Sequence, residues 1–299
     1  MQDTLITAMC GEDMVRMIAV SAAELVTQAQ KIHKLSRVAT AALGRQLMMT
    51  AIMAADLKNE NDRVSTIIKG GGPGGNMVCT GNPKLEVKGM LANPEVELPP
   101  KENGKLDVSG LVGTDGQVTV VRDLSLKEPY VGTCNLVTGE IAEDFAQYYL
   151  VSQQQPTIVY LGVHERAGDG MVRAAGGILV QPMPGCPDEM IDALQVRAPQ
   201  ISLLGSRLEN GESLQDILEG IFHEMGLTVT ATLTPVYRCD CSRKRIEQAL
   251  ISVGAKDLKE MIDEDHGAQV QCHFCNREYS FSEAQLTELL WAATQKEPS

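Results

Sequence analysis

Basic residues are scarce in this sequence. Its 299 residues include 26 Lys and Arg against 39 Asp and Glu, which gives a formal net charge of −13. An excess of negative charge keeps a protein soluble and repels the phosphate backbone of nucleic acids. The composition therefore predicts a soluble protein that does not have nucleic acid as a partner.

Long hydrophobic runs and a targeting leader are also missing. The most apolar stretch, TAALGRQLMMTAIMAADL, is interrupted by Arg45 and Gln46, so it fits a buried helix better than a membrane span. The N-terminal residues MQDTLITAMCGEDMVRMIAV lack a basic segment followed by an apolar run and a small-residue cleavage site. We therefore expect a cytoplasmic protein with no membrane partner, in a compartment where thiols stay reduced.

No arrangement of side chains typical of catalysis is visible. The carboxylates of the segment EIAED are at helical spacing but have no partner His or Ser beside them. Gly70, Gly72 and Gly75 match a dinucleotide-binding pattern, yet the extended sequence after them offers no helix N-terminus for a pyrophosphate. We therefore predict no catalytic residue and no nucleotide cofactor, and we interpret GGGPGGN as a tight structural loop.

Helical and strand patterns alternate over residues 1–180. Ser21 and Glu24 are at capping-box spacing before one helix, and a second helix is expected from Ser36 to Leu57. Short β-branched runs broken by Gly, Pro and Asn then predict strands at RVSTIIKGGG, KLEVKGML, KLDVSGLVG and QVTVVRDL. The mixture predicts an α+β fold class, with residues 1–180 as an N-terminal mixed strand and helix core domain.

Residues 181–228 have a different character. They are acidic and carry short helical patterns, of which SLQDILEGIFHEM begins with Ser213 and Asp216 at capping-box spacing. The apolar face of this pattern cannot form a core alone and needs a neighbour; its members are Leu214, Ile217, Leu218 and Ile221. We predict an acidic helical linker over residues 181–228 that packs against another domain.

Four cysteines in two close pairs mark the C-terminal part of the chain. VYRCDCSRKR contains Cys239 and Cys241, and QVQCHFCNREYSF contains Cys272 and Cys275. Two pairs of soft thiolate ligands suit tetrahedral Zn²⁺, and four thiolates leave no open position at which the metal could activate water. We therefore predict a small C-terminal zinc domain with four cysteine ligands over residues 229–299, because so short a segment needs a metal for stability.

The spacing alone leaves the role of the metal open between a permanent structural site and a redox switch. Cysteines two and three positions apart can come within disulfide reach, and thiolates beside the basic run SRKR are the form that oxidants attack. His266 and His273 are expected at the surface or beside the ligands rather than among them.

Two other classes remain as alternatives. A zinc-ribbon nucleic-acid-binding protein needs a basic face, but acidic residues outnumber basic ones over residues 229–299. A thiol oxidoreductase would use the CxxC of CHFC, but that pair lacks the βαβ setting of a thioredoxin-like site.

The segments that carry these features resemble a known family. ATAALGR, GGGPGGN, GNPKLEVKGMLANP, AAGGILVQPMPG, CDCSRKR and EDHGAQVQCHFCNREYSF, in this order over nearly the whole chain, are similar to the redox-regulated thirty-three-kilodalton heat-shock chaperones of bacteria. The resemblance implies a cytosolic, ATP-independent holdase that is inactive while reduced and zinc-bound. It also implies an N-terminal α+β domain, a helical linker and a zinc domain.

The resemblance assigns roles to the four cysteines by their positions in the motifs. It implies that Cys239, Cys241, Cys272 and Cys275 bind a single Zn²⁺. It further implies that oxidation pairs Cys239 with Cys241 and Cys272 with Cys275, releases zinc, and unfolds the zinc domain and the linker. Activated members of the family dimerise, bind unfolded or partly folded clients and pass them to ATP-dependent foldases. We therefore expect the linker's apolar face to lose the cover of the zinc domain on activation.

The other four cysteines lie outside the motif. The resemblance gives no switch role to Cys10, Cys79, Cys134 or Cys186. Since free cysteine behaves as a small hydrophobic side chain, we expect them to be buried.

Overall fold

The computed structural model describes residues 2–166 and 168–294 and divides the chain into two compact units, with the boundary between Arg238 and Cys239. In chain order the strands are β1 (Thr4–Cys10), β2 (Val15–Ser21), β3 (Arg63–Lys69), β4 (Met77–Gly81), β5 (Glu86–Leu91), β6 (Gln117–Asp123), β7 (Tyr130–Asn135), β8 (Ile158–Glu165), β9 (Val172–Pro182), β10 (Thr228–Leu233), β11 (Val236–Tyr237), β12 (Gly267–Gln271) and β13 (Glu278–Ser282). The helices are α1 (Ala23–His33), α2 (Arg37–Ala54), α3 (Val108–Val112), α4 (Ala142–Ser152), α5 (Asp188–Ile201), α6 (Leu204–Glu209), α7 (Leu214–Phe222), α8 (Arg243–Val253), α9 (Ala255–Asp265) and α10 (Glu283–Thr294), and a 3-10 helix (His223–Met225) follows α7. This mixture of strands and helices confirms the α+β fold class.

Two sheets and a central helix form the first unit. One sheet has five strands in the order β10-β1-β2-β9-β8, and the other has six in the order β11-β5-β4-β3-β6-β7. Helix α2 packs against strands of both sheets, and all its residues except Arg37 and Arg45 are buried. Its first turn is capped by Ser36, whose Oγ accepts a hydrogen bond from the Ala39 amide at 3.1 Å. The prediction of a buried helix in this apolar stretch is confirmed.

The cap of helix α1 differs from the sequence prediction. Ser21 is the last residue of β2, where its hydroxyl pairs with Thr4, and it makes no cap. Asp3 takes that role instead, because its carboxylate accepts hydrogen bonds from the amides of Glu24 and Leu25 at 3.0 and 2.7 Å. The capping box predicted at Ser21 is therefore wrong. The spacing of residues along the sequence does not show that Ser21 pairs with Thr4 at the end of a strand.

The glycine-rich loop packs against α3, a helix where KLDVSGLVG predicted a strand. Asp107 begins this helix by accepting a hydrogen bond from the Gly110 amide at 3.0 Å, which outweighs the strand propensity of the valines. The Gly72 amide donates to the Val112 carbonyl at 3.0 Å, and a Cβ on Gly70 would lie 2.3 Å from that carbonyl oxygen. Such close backbone approach requires glycine, which confirms the tight structural loop.

Helices α5, α6 and α7 cover one face of the five-stranded sheet. The apolar face predicted for the linker is fully formed, with Ser213 Oγ capping α7 by accepting from the Asp216 amide at 3.1 Å. Its residues pack in one cluster with side chains of β1, β2 and β9; the linker members are Leu214, Ile217, Leu218 and Ile221, and the sheet members include Ile6, Ala8, Val15, Met17, Ile178 and Val180. The expected cover by the zinc domain is therefore wrong: the sheet of the first unit covers this face, because it offers a second apolar side that helix α2 does not fill.

The segment before the first motif cysteine also belongs to the first unit. Strand β10 pairs antiparallel with β1, and β11 pairs parallel with β5. Tyr237 is buried, donates its hydroxyl proton to the Gly89 carbonyl at 2.9 Å and lies 3.0 Å from Nε2 of His33. The sequence-based division placed these strands with the cysteines, whereas backbone pairing joins them to the first unit. The assignment of the three segments to functional domains stays a prediction.

The second unit is a hairpin with three helices. Strands β12 and β13 pair antiparallel, and α8, α9 and α10 pack with them around a small apolar cluster that includes Leu250, Leu258, Phe281 and Leu286. Ser242 caps α8, as its Oγ accepts from the Arg245 amide at 3.4 Å, and Gly254 follows the end of that helix with φ +111°.

Candidate metal centre

The four motif cysteines lie on two structural segments of the second unit. Cys239 and Cys241 are in the extended segment that leads into α8. Cys272 and Cys275 are in the turn that joins β12 to β13, where the amides of Cys275 and Asn276 donate to the Cys272 carbonyl at 3.2 and 2.8 Å. Asn276 adopts φ +57°, a left-handed conformation that asparagine tolerates well. This turn directs both sulfurs of the CxxC toward the CxC segment.

The four sulfurs form one cluster. Sγ of Cys239 lies 3.7 Å from Sγ of Cys272, and Sγ of Cys241 lies 3.4 Å from Sγ of Cys275. All four sulfurs lie within 4.8 Å of one another. A tetrahedron with zinc–sulfur bonds of about 2.3 Å has sulfur–sulfur edges of about 3.8 Å. The cluster therefore has the donor type, the number and the spacing of a closed tetrahedral zinc site.

A tyrosine adds a hydrogen bond to this cluster. Tyr279 of β13 is buried and donates its hydroxyl proton to Sγ of Cys241 at 3.1 Å. Burial by itself would raise the pKa of Cys241, but the hydrogen bonds from Tyr279 and from the other cysteines outweigh it and lower that pKa to about 7. Burial raises the pKa of Cys275. The sulfur of Cys241 is therefore stabilised as a thiolate more than the sulfur of Cys275.

Sequence reasoning attributed thiolate stabilisation to the basic residues around the CxC. In the structure the three arginines among them pair with acidic groups or an aromatic ring instead. Arg238 binds Glu86 at 2.8 Å, Arg245 forms an ion pair with Asp240, and the guanidinium carbon of Arg243 lies 4.4 Å from the centre of the Phe281 ring. The residue that sequence reasoning missed is Tyr279, and the available signal was the alternation of REYSF, which points Tyr279 and Phe281 to the same buried face.

The two histidines lie outside the sulfur cluster. His266 is exposed and has its Nδ1 3.5 Å from a carboxylate oxygen of Glu283, and His273 is exposed. Among the described residues, the cluster of potential metal ligands contains only the four cysteines. Both histidines lie at the surface, and their exclusion from the ligand set stays a prediction.

The remaining cysteines are separate from the centre. Cys10, Cys79 and Cys134 are buried, as expected, whereas Cys186 is only half-buried. Burial raises the pKa of the Cys10 thiol to about 11 and also raises the pKa of Cys134. The thiols of Cys10 and Cys134 are therefore protonated at neutral pH, whereas the pKa of Cys241 is lowered to about 7.

The setting of the CxxC also bears on the two alternative functions. Cys272 and Cys275 lie in a turn between antiparallel strands, not between a strand and a helix, so the pair is not in a thioredoxin-like setting. Two arginines of the basic run form ion pairs with acidic residues, Arg245 with Asp240 and Arg243 with Glu247. Neither a redox-enzyme site nor a basic nucleic-acid face is built around these cysteines.

Comparison with known proteins gives a consistent result. The family model described as Hsp33 protein matches residues 3–282. The chain belongs to the Hsp33 family. Two relatives of this Hsp33 family member are each named 33 kDa chaperonin: one from Clostridium botulinum (strain 657 / Type Ba4) is 41% identical over 97% of this chain and 98% of its own length, and one from Clostridium beijerinckii is 42% identical over 97% and 99%.

A solved structure agrees with the family at the level of the fold. The crystal structure of the 33 kDa chaperonin from Thermotoga maritima matches 99% of this chain and 100% of its own chain, with a TM-score of 0.88 and 35% identity.

As an Hsp33-type chaperone the chain is not an enzyme. Within residues 2–166 and 168–294, no helix is long and apolar enough to cross a membrane.

Proposed function

We propose that this Hsp33 family member is a redox-regulated, ATP-independent holdase of the cytoplasm that is inactive while reduced and zinc-bound. The observation that carries the proposal is the convergence of Cys239, Cys241, Cys272 and Cys275 in a unit whose apolar core is small. Bound Zn²⁺ would supply a cross-link between the CxC segment and the hairpin turn, worth roughly 10–16 kcal/mol in small zinc domains. A domain stability of about 5–15 kcal/mol cannot absorb such a loss, so oxidation of the ligands unfolds the second unit.

The proposed disulfides join Cys239 with Cys241 and Cys272 with Cys275. With a hydroperoxide as oxidant, one thiolate of a pair attacks the peroxide oxygen and becomes a sulfenic acid, and the second thiolate displaces hydroxide to form the disulfide. Each pair thus loses two electrons and the peroxide is reduced. Sulfur contacts at 3.7 and 3.4 Å join the two motifs, and disulfides within each motif replace these contacts. Oxidation therefore separates the CxC segment from the hairpin instead of locking them together.

In the proposal, release of the linker exposes the apolar surface that binds client proteins. In this proposal residues 181–228 act as the linker, and departure of α5, α6 and α7 uncovers the apolar sides of both the helices and the five-stranded sheet. Exposed apolar surface is worth about 25 cal/mol per Å² to a partner that covers it. Unfolded and partly folded proteins offer matching surface, and the net charge of −13 keeps the opened chaperone soluble.

The test is light scattering from a client protein that unfolds on heating. The reduced, zinc-loaded chain should not suppress aggregation, whereas the same preparation after warm peroxide treatment should. Cys241→Ser should abolish this difference because it removes one ligand, and Cys186→Ser, a half-buried cysteine outside the motif, should preserve it. Equal suppression by the reduced and oxidised wild-type chains would refute the redox switch.

Later steps of the proposal concern partners. We expect the oxidised chain to form a homodimer and to transfer clients to ATP-dependent foldases once it is reduced again. Light scattering coupled to size-exclusion chromatography measures the first, and recovery of client enzyme activity with an added foldase measures the second. A purely monomeric active form would contradict the dimer.

A further inference from the structure

The hydrogen bond between Tyr279 and Cys241 has a defined direction. The Tyr279 hydroxyl donates to Sγ of Cys241 at 3.1 Å, and a thiolate sulfur can only accept. Tyr279 itself is fixed by the register of the hairpin, in which it pairs with Val270. The donor is therefore pre-positioned on one of the four sulfurs.

A hydrogen bond to a thiolate changes its reactivity as well as its basicity. In a zinc-bound cluster all four sulfurs are thiolates, so the fraction of thiolate no longer limits the rate of attack on an oxidant. What remains is the intrinsic nucleophilicity of each sulfur, and this falls as the negative charge is stabilised. Partners outside the ligands tune metal-bound groups in this way.

We propose that the Tyr279 hydroxyl, by donating to Sγ of Cys241, slows the attack of this sulfur on electrophilic oxidants and so limits how readily the switch opens. Tyr279 is thus a tuning residue and not a ligand. The inference rests on the proposed function for its biological meaning, but the chemistry at the sulfur can be measured without any chaperone assay.

The size of the effect follows from the strength of such a bond. A hydrogen bond to a charged group changes the basicity of the acceptor by a factor of about ten to a hundred. Thiolate nucleophilicity changes by about 0.4–0.5 logarithmic units for each tenfold change in basicity. Loss of the hydroxyl should therefore make Cys241 about three to ten times more reactive, with little change at Cys239.

The experiment uses the full-length, reduced, zinc-loaded chain and two reactions. Iodoacetamide at low conversion reports the first attack: the sulfur forms a bond to carbon, iodide leaves, and mass spectrometry gives the share of each cysteine. Hydrogen peroxide with a chromogenic zinc chelator reports the rate of metal release. Tyr279→Phe should raise the alkylation of Cys241 relative to Cys239 about three- to tenfold. It should also increase the rate of zinc release by peroxide.

A control variant keeps the test decisive. Tyr130→Phe removes a hydroxyl from a half-exposed tyrosine of the first unit and should change nothing. If Tyr279→Phe leaves the share of Cys241 unchanged, or accelerates all four cysteines equally, the inference is wrong.

Failure of the inference is distinct from failure of the proposed function. A chain that binds no zinc, or whose oxidised form does not suppress aggregation, contradicts the holdase switch. A chain that switches normally but shows no selective effect at Cys241 contradicts only the role of Tyr279.

Discussion

Truncation of Ile217 tests whether the packing of the linker on the sheet keeps the chaperone inactive. Ile217 lies on α7, is fully buried, and belongs to the apolar cluster between the linker helices and the five-stranded sheet. Ile217→Ala removes three carbon atoms, which lowers the transfer free energy by about 2.4 kcal/mol at about 0.8 kcal/mol each. The cavity left behind adds to this, so the total is about 3–4 kcal/mol, within the range seen for such truncations.

A loss of this size increases the open population of the linker by a factor of roughly one hundred or more, since each 1.4 kcal/mol is about tenfold. We therefore expect reduced, zinc-loaded Ile217→Ala to suppress client aggregation measurably without oxidant. Hydrogen exchange should be faster in α5, α6 and α7 than in wild type while α2 stays protected. Val196→Ala is the matched control, because Val196 is on α5 but 73% exposed and should cost less than about 0.5 kcal/mol.

Two different results would contradict the prediction for Ile217→Ala. Unchanged hydrogen exchange in α7 would show that the burial of Ile217 does not hold the linker on the sheet. Faster exchange without any holdase activity in the reduced state would show that release of the linker is not the step that creates the client surface.

Three further predictions concern stability. Burial raises the pKa of Glu165 to about 7 although Arg37 Nε donates to its carboxylate at 3.1 Å. Because its pKa is raised on folding, the protonated Glu165 carboxyl stabilises the fold below its ordinary pKa, and this stability is lost as pH rises through about 7. Urea titrations should therefore find Glu165→Gln more stable than wild type by up to about 3 kcal/mol at pH 8 and similar to wild type at pH 4. Tyr237→Phe should lower the free energy of unfolding of the first unit by about 1–3 kcal/mol, because it leaves the buried Gly89 carbonyl without its 2.9 Å donor; an unchanged urea midpoint would contradict this. Removal of zinc from the reduced chain with a chelator should melt α8, α9 and α10 but leave the two sheets folded, and circular dichroism with hydrogen exchange distinguishes this from loss of the whole fold.

Local patterns predicted those elements whose signals are themselves local. The buried helix from Arg37 to Ala54 was predictable because an apolar run interrupted by Arg45 and Gln46 fits a buried helix better than a membrane span. The cysteine cluster was predictable because thiolates in two close pairs have few alternatives to a metal. The cap of α1 was not, since Asp3 reaches the helix only after β1 and β2 have paired.

Long-range packing accounts for the other differences. The apolar face around Ile217 was predicted from spacing, but its partner was not, because the near-continuous apolar run of β9 indicates burial on both sides of the sheet without showing which segment covers each side. Tyr279 was missed for a related reason. Its position two residues from Phe281 indicates a buried side chain, whereas its contact with Cys241 depends on how the hairpin meets the CxC segment.

The position of Tyr237 affects how fast the second unit could refold after its disulfides are reduced in the proposed switch. The first unit ends with a buried anchor two residues before Cys239, so strands β10 and β11 need not unfold when the second unit does. In the proposed cycle, residues 239–294 refold as a small unit of one hairpin and three helices within microseconds to milliseconds, and the linker over residues 181–228 returns to the sheet. Reduction of disulfides takes seconds to hours. In the proposed switch, the lifetime of the active state is therefore governed by the reduction of the disulfides and not by the refolding of the second unit.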